Sequence, residues 1–327
     1  MVEVPRAGVL GFPVTHSLSP ALHRAAYRVL ELDWRYDAIE CAQDSLRGLL
    51  LGLGPEWVGL SLTMPHKRTV LTMIDQIAPT AAGTEAVNTL LFRGDRRLGD
   101  NTDVPGLVNA LAEHGITDLS GSQVGVVGAG ATACSALAAL AAMGAKKVSV
   151  LARRESSIAE IAPIAERFSL TVVPIAAEAS GELASHDLIV ATTPIGASAM
   201  LAVGLYGSKP AGLLFDVLYD PWPTPFAKAW QRAGGSVLGG LELLVHQGAL
   251  QVLLMTGQIG FGEAARVDPS SSGYVELRDA MREAGTAALV AVHVARARDK
   301  ESAAAALRSV GVDPDRPPIR PKRLFRR

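Results

Sequence analysis

A lysine, an aspartate and a glycine-rich turn hold most of the chemical information in this sequence. SLTMPHK, at positions 61–67, ends on Lys67. Pro65 suits a helix start, which sets Lys67 in the first turn, where a cation opposes the helix dipole by roughly 0.3–1 kcal/mol. Nothing structural asks for that placement, whereas general acid–base work would use it; an ordinary surface lysine is the alternative. GDNTD supplies Asp103, which could accept from a substrate hydroxyl and pair with Lys67, or simply cap a helix. Asn88 and Asn101 each donate and accept, as recognition of a polyol requires. THSLSP places Ser17 and Ser19 around a helix start, with Ser19 as N-cap and Pro20 at the first helical position. Two hydroxyls beside free N–H groups form a neutral site for a carboxylate. Capping alone would account for Ser19 but not for Ser17.

A cofactor signal follows. VGVVGAGATA sets Gly128-x-Gly130-x-x-Ala133 between a strand and a helix. The first glycine permits a tight turn, the second lets backbone amides approach a pyrophosphate, and the small third residue lets helix pack on strand. A bare turn in an unliganded α/β domain is the alternative. The next strand ends at Ala152 and is followed by Arg153, Arg154 and Glu155. An acidic residue at the strand end would bind a ribose 2′-OH; two guanidinium groups instead suit a 2′-phosphate, so NADP(H) is favoured over NAD(H). Glu155, one step later, could mimic the acid, and the arginines could be plain surface charge.

The elements that must hold these groups alternate between short apolar runs and helical runs. Strands are expected at 7–12, 34–41, 57–63 and 85–92, with helices at 19–32, 43–53, from about 65, and at 104–114. A second series gives strands at 123–128, 147–152, 171–175, 187–193, 212–219 and 236–239, and helices to 143 and at 157–168 and 223–233. A helix at 241–256 could return to the first domain; 258–273 reads as a loop and 274–302 as helix. This is an α/β protein of two domains with mainly parallel sheets.

The 327 residues are long enough to need no disulfide or metal staple. Hydrophobic residues at 49% exclude a disordered chain, and a net charge of −1 argues against bulk nucleic-acid binding. Cys41 and Cys134 show no CxxC spacing, which fits a reducing compartment. The N-terminus lacks a signal-peptide pattern. Positions 124–145 are uncharged, but glycines and alanines mark them as strand, turn and helix rather than a membrane span. A cytoplasmic protein is expected. His16, His66 and His246 lack metal-ligand spacing, so no metal is expected. The last residues, DPDRPPIRPKRLFRR, read as a solvated basic terminus or as a surface for an acidic partner.

HSLSP, SLTMPHK, AVNTL, DNTD, the glycine loop, DVLYDPWPTP and GLELLVHQ together resemble the shikimate dehydrogenase family, over about positions 7–257. The resemblance implies NADPH-dependent reduction of 3-dehydroshikimate to shikimate. It implies a Rossmann domain at 107–240 and a discontinuous substrate domain at 1–106 plus 241–300; it says nothing about 301–327, which composition alone marks as a basic, disordered tail. By position, Ser17, Ser19 and Tyr219 would hold the substrate carboxylate, and Thr63, Lys67, Asn88, Asp103 and Gln247 the ring hydroxyls. Lys67 would exchange the proton, oriented by Asp103. Gly128, Ala129, Gly130, Ala131 and Thr132 would cradle the pyrophosphate, Arg153 and Arg154 would meet the 2′-phosphate, and Thr193, Val217 and Gly240 would complete the cofactor site.

The sequence departs from the family pattern at several points. Ser61 stands where the motif has Asn, Ala131 for the usual glycine, Ala152 and Arg154 for the outer residues of N-R-T, Ala191-Thr192-Thr193 for N-A-T, and Leu243 for Met. A quinate or aminoshikimate dehydrogenase of the same superfamily is the nearest rival, and a catalytically silent ligand-sensing module is the rival of another class. Partners are expected to be a small-molecule substrate, with no nucleic acid and no membrane, in a monomer or homodimer.

Overall fold

A computed structural model describes residues 3–309. The chain forms two compact units, the first running through Gly285 and the second starting at Thr286. The first unit contains two six-stranded sheets.

Sheet one is built from β1 (Arg6–Gly11), β2 (Arg35–Glu40), β3 (Trp57–Leu62), β4 (Gln76–Ile77), β5 (Thr89–Arg93) and β6 (Arg96–Asp100), in the order β2-β1-β3-β5-β6-β4. β1 runs parallel to β2 and β3, and β4 to β6, while β5 is antiparallel to both β3 and β6. The period of two along β3 decides its faces. Leu60 and Leu62 join Leu10, Leu46, Leu50, Val70 and Leu90 in one apolar core. Gly59 and Ser61 point the other way, toward α10 (Gly240–Thr256). A Cβ at Gly59 would lie 3.0 Å from Met255, so the glycine lets that helix sit close on the strand.

The β5–β6 hairpin was not expected from sequence. RRLGD is too charged to read as a strand, but it pairs with β5 through a two-residue turn, Arg93 opposite Arg96, with Gly94 at φ 58°. The reversal has a functional consequence. It brings Asn88, just before β5, and Asn101–Asp103, just after β6, to the same edge as the end of β3.

Sheet two consists of β7 (Val124–Val127), β8 (Lys147–Leu151), β9 (Thr171–Ile175), β10 (Leu188–Ala191), β11 (Leu213–Asp216) and β12 (Ser236–Gly239), in the order β12-β11-β10-β7-β8-β9. All its pairs are parallel, as the apolar runs predict. Val124, Val126 and Val127 are buried, because helices cover both faces. The strand order reverses between β7 and β10, where doubly wound sheets open a binding crevice. Helices α6 (Ala131–Ala142), α7 (Glu155–Arg167) and α9 (Pro225–Arg232) match expectation within a few residues. Helix α8 (Ile195–Gly204) does not; its glycines and exposed Met200 and Val203 blur the helical period.

In the first sheet's half, α1 is Ser19–Val29, α2 is Leu46–Leu51, α3 is a single turn at His66–Thr69, and α4 is Pro79–Thr84. The chain passes to sheet two through α5 (Asp103–Glu113) and returns through α10. These two helices pack closely, since a Cβ at Gly106 would lie 2.9 Å from Gln247. The stretch 258–273 is a loop with one short turn at Ala264–Arg266, tied down by the Gly262 amide donating to Asp100 Oδ2 at 3.0 Å. Helix α11 (Ser272–Ser309) extends beyond the expected end at Ser302, and the rest of the basic terminus lies outside the described residues. The uncharged stretch 124–145 is β7, the glycine turn and α6. Among the described residues no helix is long and apolar enough to cross a membrane.

Candidate active site

Lys67 sits in the one-turn helix α3 after β3. Its own carbonyl accepts from the Val87 amide at 2.8 Å, which draws the chain before β5 alongside it. Lys67 Nζ donates to Asp103 Oδ2 at 2.5 Å and to Thr132 Oγ1 at 3.3 Å. The two charged side chains are 13% and 5% exposed, so the pair is shielded from bulk water but open to a ligand on the lysine side. Asp103 Oδ1 accepts from Asn88 Nδ2 at 2.8 Å, and the same amide reaches Gln247 Oε1 at 3.1 Å. Four residues from far-apart segments thus converge: one after β3, one before β5, one opening α5 and one on α10. Such a set can hold hydroxyls and exchange a proton with one of them.

Asn101 is not part of that set. It is 1% exposed, its carbonyl caps α5 by accepting from the amides of Asp103 and Val104, and its Nδ2 is engaged by Thr84, the Ala86 carbonyl and Ser135. The capping at α1 also differs from expectation. Leu18 takes the N-cap position, and Ser17 Oγ accepts from the Ser19 amide at 3.2 Å. Capping therefore explains Ser17, while Ser19 is buried within reach of Tyr36. The Tyr219 phenol neighbours the Ser17 hydroxyl and the Leu18 main chain, and burial pushes its pKa up, keeping it a neutral donor. Thr63 follows β3 on the Ser61 face, half-buried, its methyl against Gly11.

The glycine turn lies at the switch point of sheet two. Gly128 has φ 113°, and a Cβ there would run into Thr192 after β10, so only glycine fits. Gly130 is exposed at the head of α6, and a Cβ on it meets nothing within 4 Å. That open ground before free helical N–H groups fits a pyrophosphate. Ala129, Ala131 and Thr132 are partly exposed around it, and Ala133 is fully buried against the sheet. Arg153 and Arg154 follow β8 and are exposed; Arg154 Nε contacts Ser157 at 3.3 Å, while Arg153 makes no hydrogen bond or ion pair among the described residues. An exposed guanidinium pair fits a phosphate ester. Thr193 and Val217 follow β10 and β11, partly exposed. Gly240 opens α10 where a Cβ would meet the Val217 main chain. A groove of about 780 Å³ beside α8 and α9 shares no residue with this site.

Comparison with known proteins decides the family. Residues 9–90 match the model for the shikimate dehydrogenase substrate binding domain, and residues 110–209 the model for shikimate / quinate 5-dehydrogenase. The shikimate dehydrogenase (NADP(+)) of Oleidesulfovibrio alaskensis is 36% identical over 272 residues, 80% of this chain and 94% of that enzyme. This chain belongs to the shikimate dehydrogenase family. Among solved members, shikimate dehydrogenase from Mycobacterium tuberculosis superposes with TM-score 0.71 at 35% identity, covering 88% of this chain and 99% of that one. The Thermus thermophilus enzyme, solved in complex with NADP(H) and shikimate, gives TM-score 0.69 at 32% identity, over 86% and 100%.

A second cluster fixes α10, and only two of its members, Glu242 and His246, lie within a family motif. His246, 1% exposed, bonds Glu113 Oε2 at 2.8 Å through Nε2 and the Tyr274 hydroxyl at 3.0 Å through Nδ1. Arg282 joins Glu113 to Glu242, and Arg278 also pairs with Glu113. Burial lowers the His246 pKa more than Glu113 raises it, so the ring is neutral, donating from Nε2 and accepting at Nδ1. Burial raises the Glu113 carboxyl, but the hydrogen bonds from His246 and Arg282 outweigh it and hold the group below the ordinary range. Glu113, Glu242 and His246 bring ligand-type atoms within 4.8 Å of one another, with Arg282 pairing both carboxylates. The cluster braces α10 one residue from Gln247. Its parts are scattered along α5, α10 and α11, so no local spacing announces it.

Proposed function

We propose that this chain catalyses the reversible NADPH-dependent reduction of 3-dehydroshikimate to shikimate, in the biosynthesis of aromatic amino acids. The observation that carries the reading is the contact of Lys67 with both Asp103 and Thr132: the proton-exchanging group stands where the polyol site meets the dinucleotide turn. Gly128–Thr132 would hold the cofactor's pyrophosphate, Arg153 and Arg154 its 2′-phosphate, and Thr193, Val217 and Gly240 its nicotinamide end; bound there, NADP(H) would supply or accept the hydride. Ser17, Ser19 and Tyr219 hold the substrate carboxylate with neutral donors. Thr63, Asn88 and Gln247 fix the ring hydroxyls. Lys67 gives a proton to the C3 oxygen in reduction and takes it back in oxidation, and Asp103 keeps the ammonium aimed and compensates its charge.

The proposed substrate domain is 1–106 plus 241–300 and the proposed cofactor domain 107–240, each built around its own sheet. A monomer or homodimer belongs to the same reading, as does a cytoplasmic location, which two buried cysteines outside any disulfide support. The test is NADPH formation from shikimate and NADP⁺, run beside quinate and NAD⁺. Turnover in the first pair alone is expected. Turnover with quinate and NAD⁺ would move the chain to the quinate branch. Silence in both, with a thermal shift on adding shikimate, would make it a sensor.

A further inference from the structure

Gln251 lies one turn beyond Gln247 on α10 and is 1% exposed. No motif described above includes it, yet its amide is fully engaged. Oε1 accepts from Ser61 Oγ at 2.6 Å, and Nε2 donates to the Asn88 carbonyl at 2.9 Å and to Thr89 Oγ1 at 3.0 Å. Thr89 Oγ1 in turn donates to Asn88 Oδ1 at 2.8 Å, and the Thr102 amide donates to the same oxygen at 2.8 Å. With its oxygen so occupied, the Asn88 amide can take only one of its two flips. Its Nδ2 must face Thr102, Asp103 and Gln247.

Ser61 is also where the family motif has asparagine. Its hydroxyl accepts from Tyr36 at 2.6 Å while donating to Gln251, and it is 5% exposed. An asparagine here would reach further from β3, toward the space that the Gln251 head group fills. The strand lacks an amide, and the helix opposite provides one.

We propose that Gln251, acting with Ser61, is a positioning residue for this reaction. It locks the orientation of Asn88, and through Asn88 that of Asp103 and Lys67, and it stands in from α10 for the amide that the family places on β3. The proposal rests on the reading of Lys67 and Asp103 as the proton-exchanging pair.

The test compares the full-length wild type with Gln251→Leu, Gln251→Ala, the exchange double variant Ser61→Asn/Gln251→Ala, and Lys67→Met as a reference. Thermal midpoint, KM, kcat and the pH profile of kcat are measured for shikimate oxidation. Misplacing a positioned group lowers kcat by about tenfold or more in both single variants, while KM for NADP⁺ stays within about twofold. The pH profile changes with kcat, because the lost contact acts on the charged pair. The exchange variant regains most of the kcat that Gln251→Ala loses, since the amide is back on β3. A lowered midpoint with kcat and pH profile intact would reduce Gln251 to a packing residue and overturn the proposal. So would an exchange variant no faster than Gln251→Ala. If Gln251→Leu does not fold, the Ala pair makes the same comparison. Unchanged turnover in Lys67→Met would sink the underlying reading separately.

Discussion

Replacing Lys67 with methionine keeps an unbranched apolar stem one atom shorter and removes the proton and the charge. Positioned general acid–base groups contribute about 10²–10⁴-fold, or about 3–5 kcal/mol of barrier at about 1.4 kcal/mol per decade. Binding should suffer less, because the other residues of the proposed hydroxyl site, Asn88, Asp103 and Gln247, keep their mutual hydrogen bonds. A cost in stability accompanies the change. Asp103 is 5% exposed and loses its only ion-pair partner among the described residues, and breaking a buried pair from one side costs about 3–5 kcal/mol. The Asn88 bond to Asp103 is the same in both proteins and leaves that difference unchanged. Circular dichroism must first show the variant folded at the assay temperature. NADPH absorbance with shikimate and NADP⁺ then gives kcat and KM. A folded variant with kcat within about threefold of wild type would refute a proton-transfer role for Lys67.

Three further outcomes follow from the geometry. Arg153→Ser/Arg154→Ser should raise KM for NADP⁺ by about 10–100-fold, at about 1.5–3 kcal/mol per charged hydrogen bond, and leave KM for NAD⁺ nearly unchanged; equal effects on both cofactors would return these arginines to plain surface charge. Gly128→Ala should cost about 1–3 kcal/mol of stability, since the new methyl meets Thr192, whereas Gly130→Ala should leave the thermal midpoint in place and weaken only NADP⁺ binding, and similar midpoints for the two would contradict the turn geometry. His246 and Glu113 both have folded pKa values below their ordinary 6.5 and 4.5, so the unfolded chain binds more protons; their contribution is complete above about pH 6.5 and is lost as the pH falls through the carboxylate range. The urea midpoint should drop over that window, and Glu113→Gln should flatten the slope.

Sheet two and strands β1, β2, β3 and β5 of sheet one were legible because apolar runs of fixed length alternate with helical ones, and the glycine turn because only glycine satisfies its backbone. Lys67 stood out because a helix start disfavours a cation. What the sequence hid was set by tertiary contact. The β5–β6 hairpin is written in charged residues that pair across a turn. Asn101 has the same donors and acceptors as Asn88, and only their neighbours decide which faces a ligand. The cap of α1 lies at Leu18, one residue before the expected Ser19, and that single step gives the Ser19 amide to Ser17. Gln251 and the Glu113–His246–Tyr274 brace have no local pattern at all, since their partners come from segments far away in the chain.

The helices α5 and α10 are the only two passages of the main chain between the sheets up to Thr256, and they lie against each other at Gly106 and Gln247. Any opening of one sheet from the other has to turn about this pair. Asp103 begins one axle and Gln247 sits halfway along the other. The bearing on which the molecule would swing therefore also carries two residues of the proposed site.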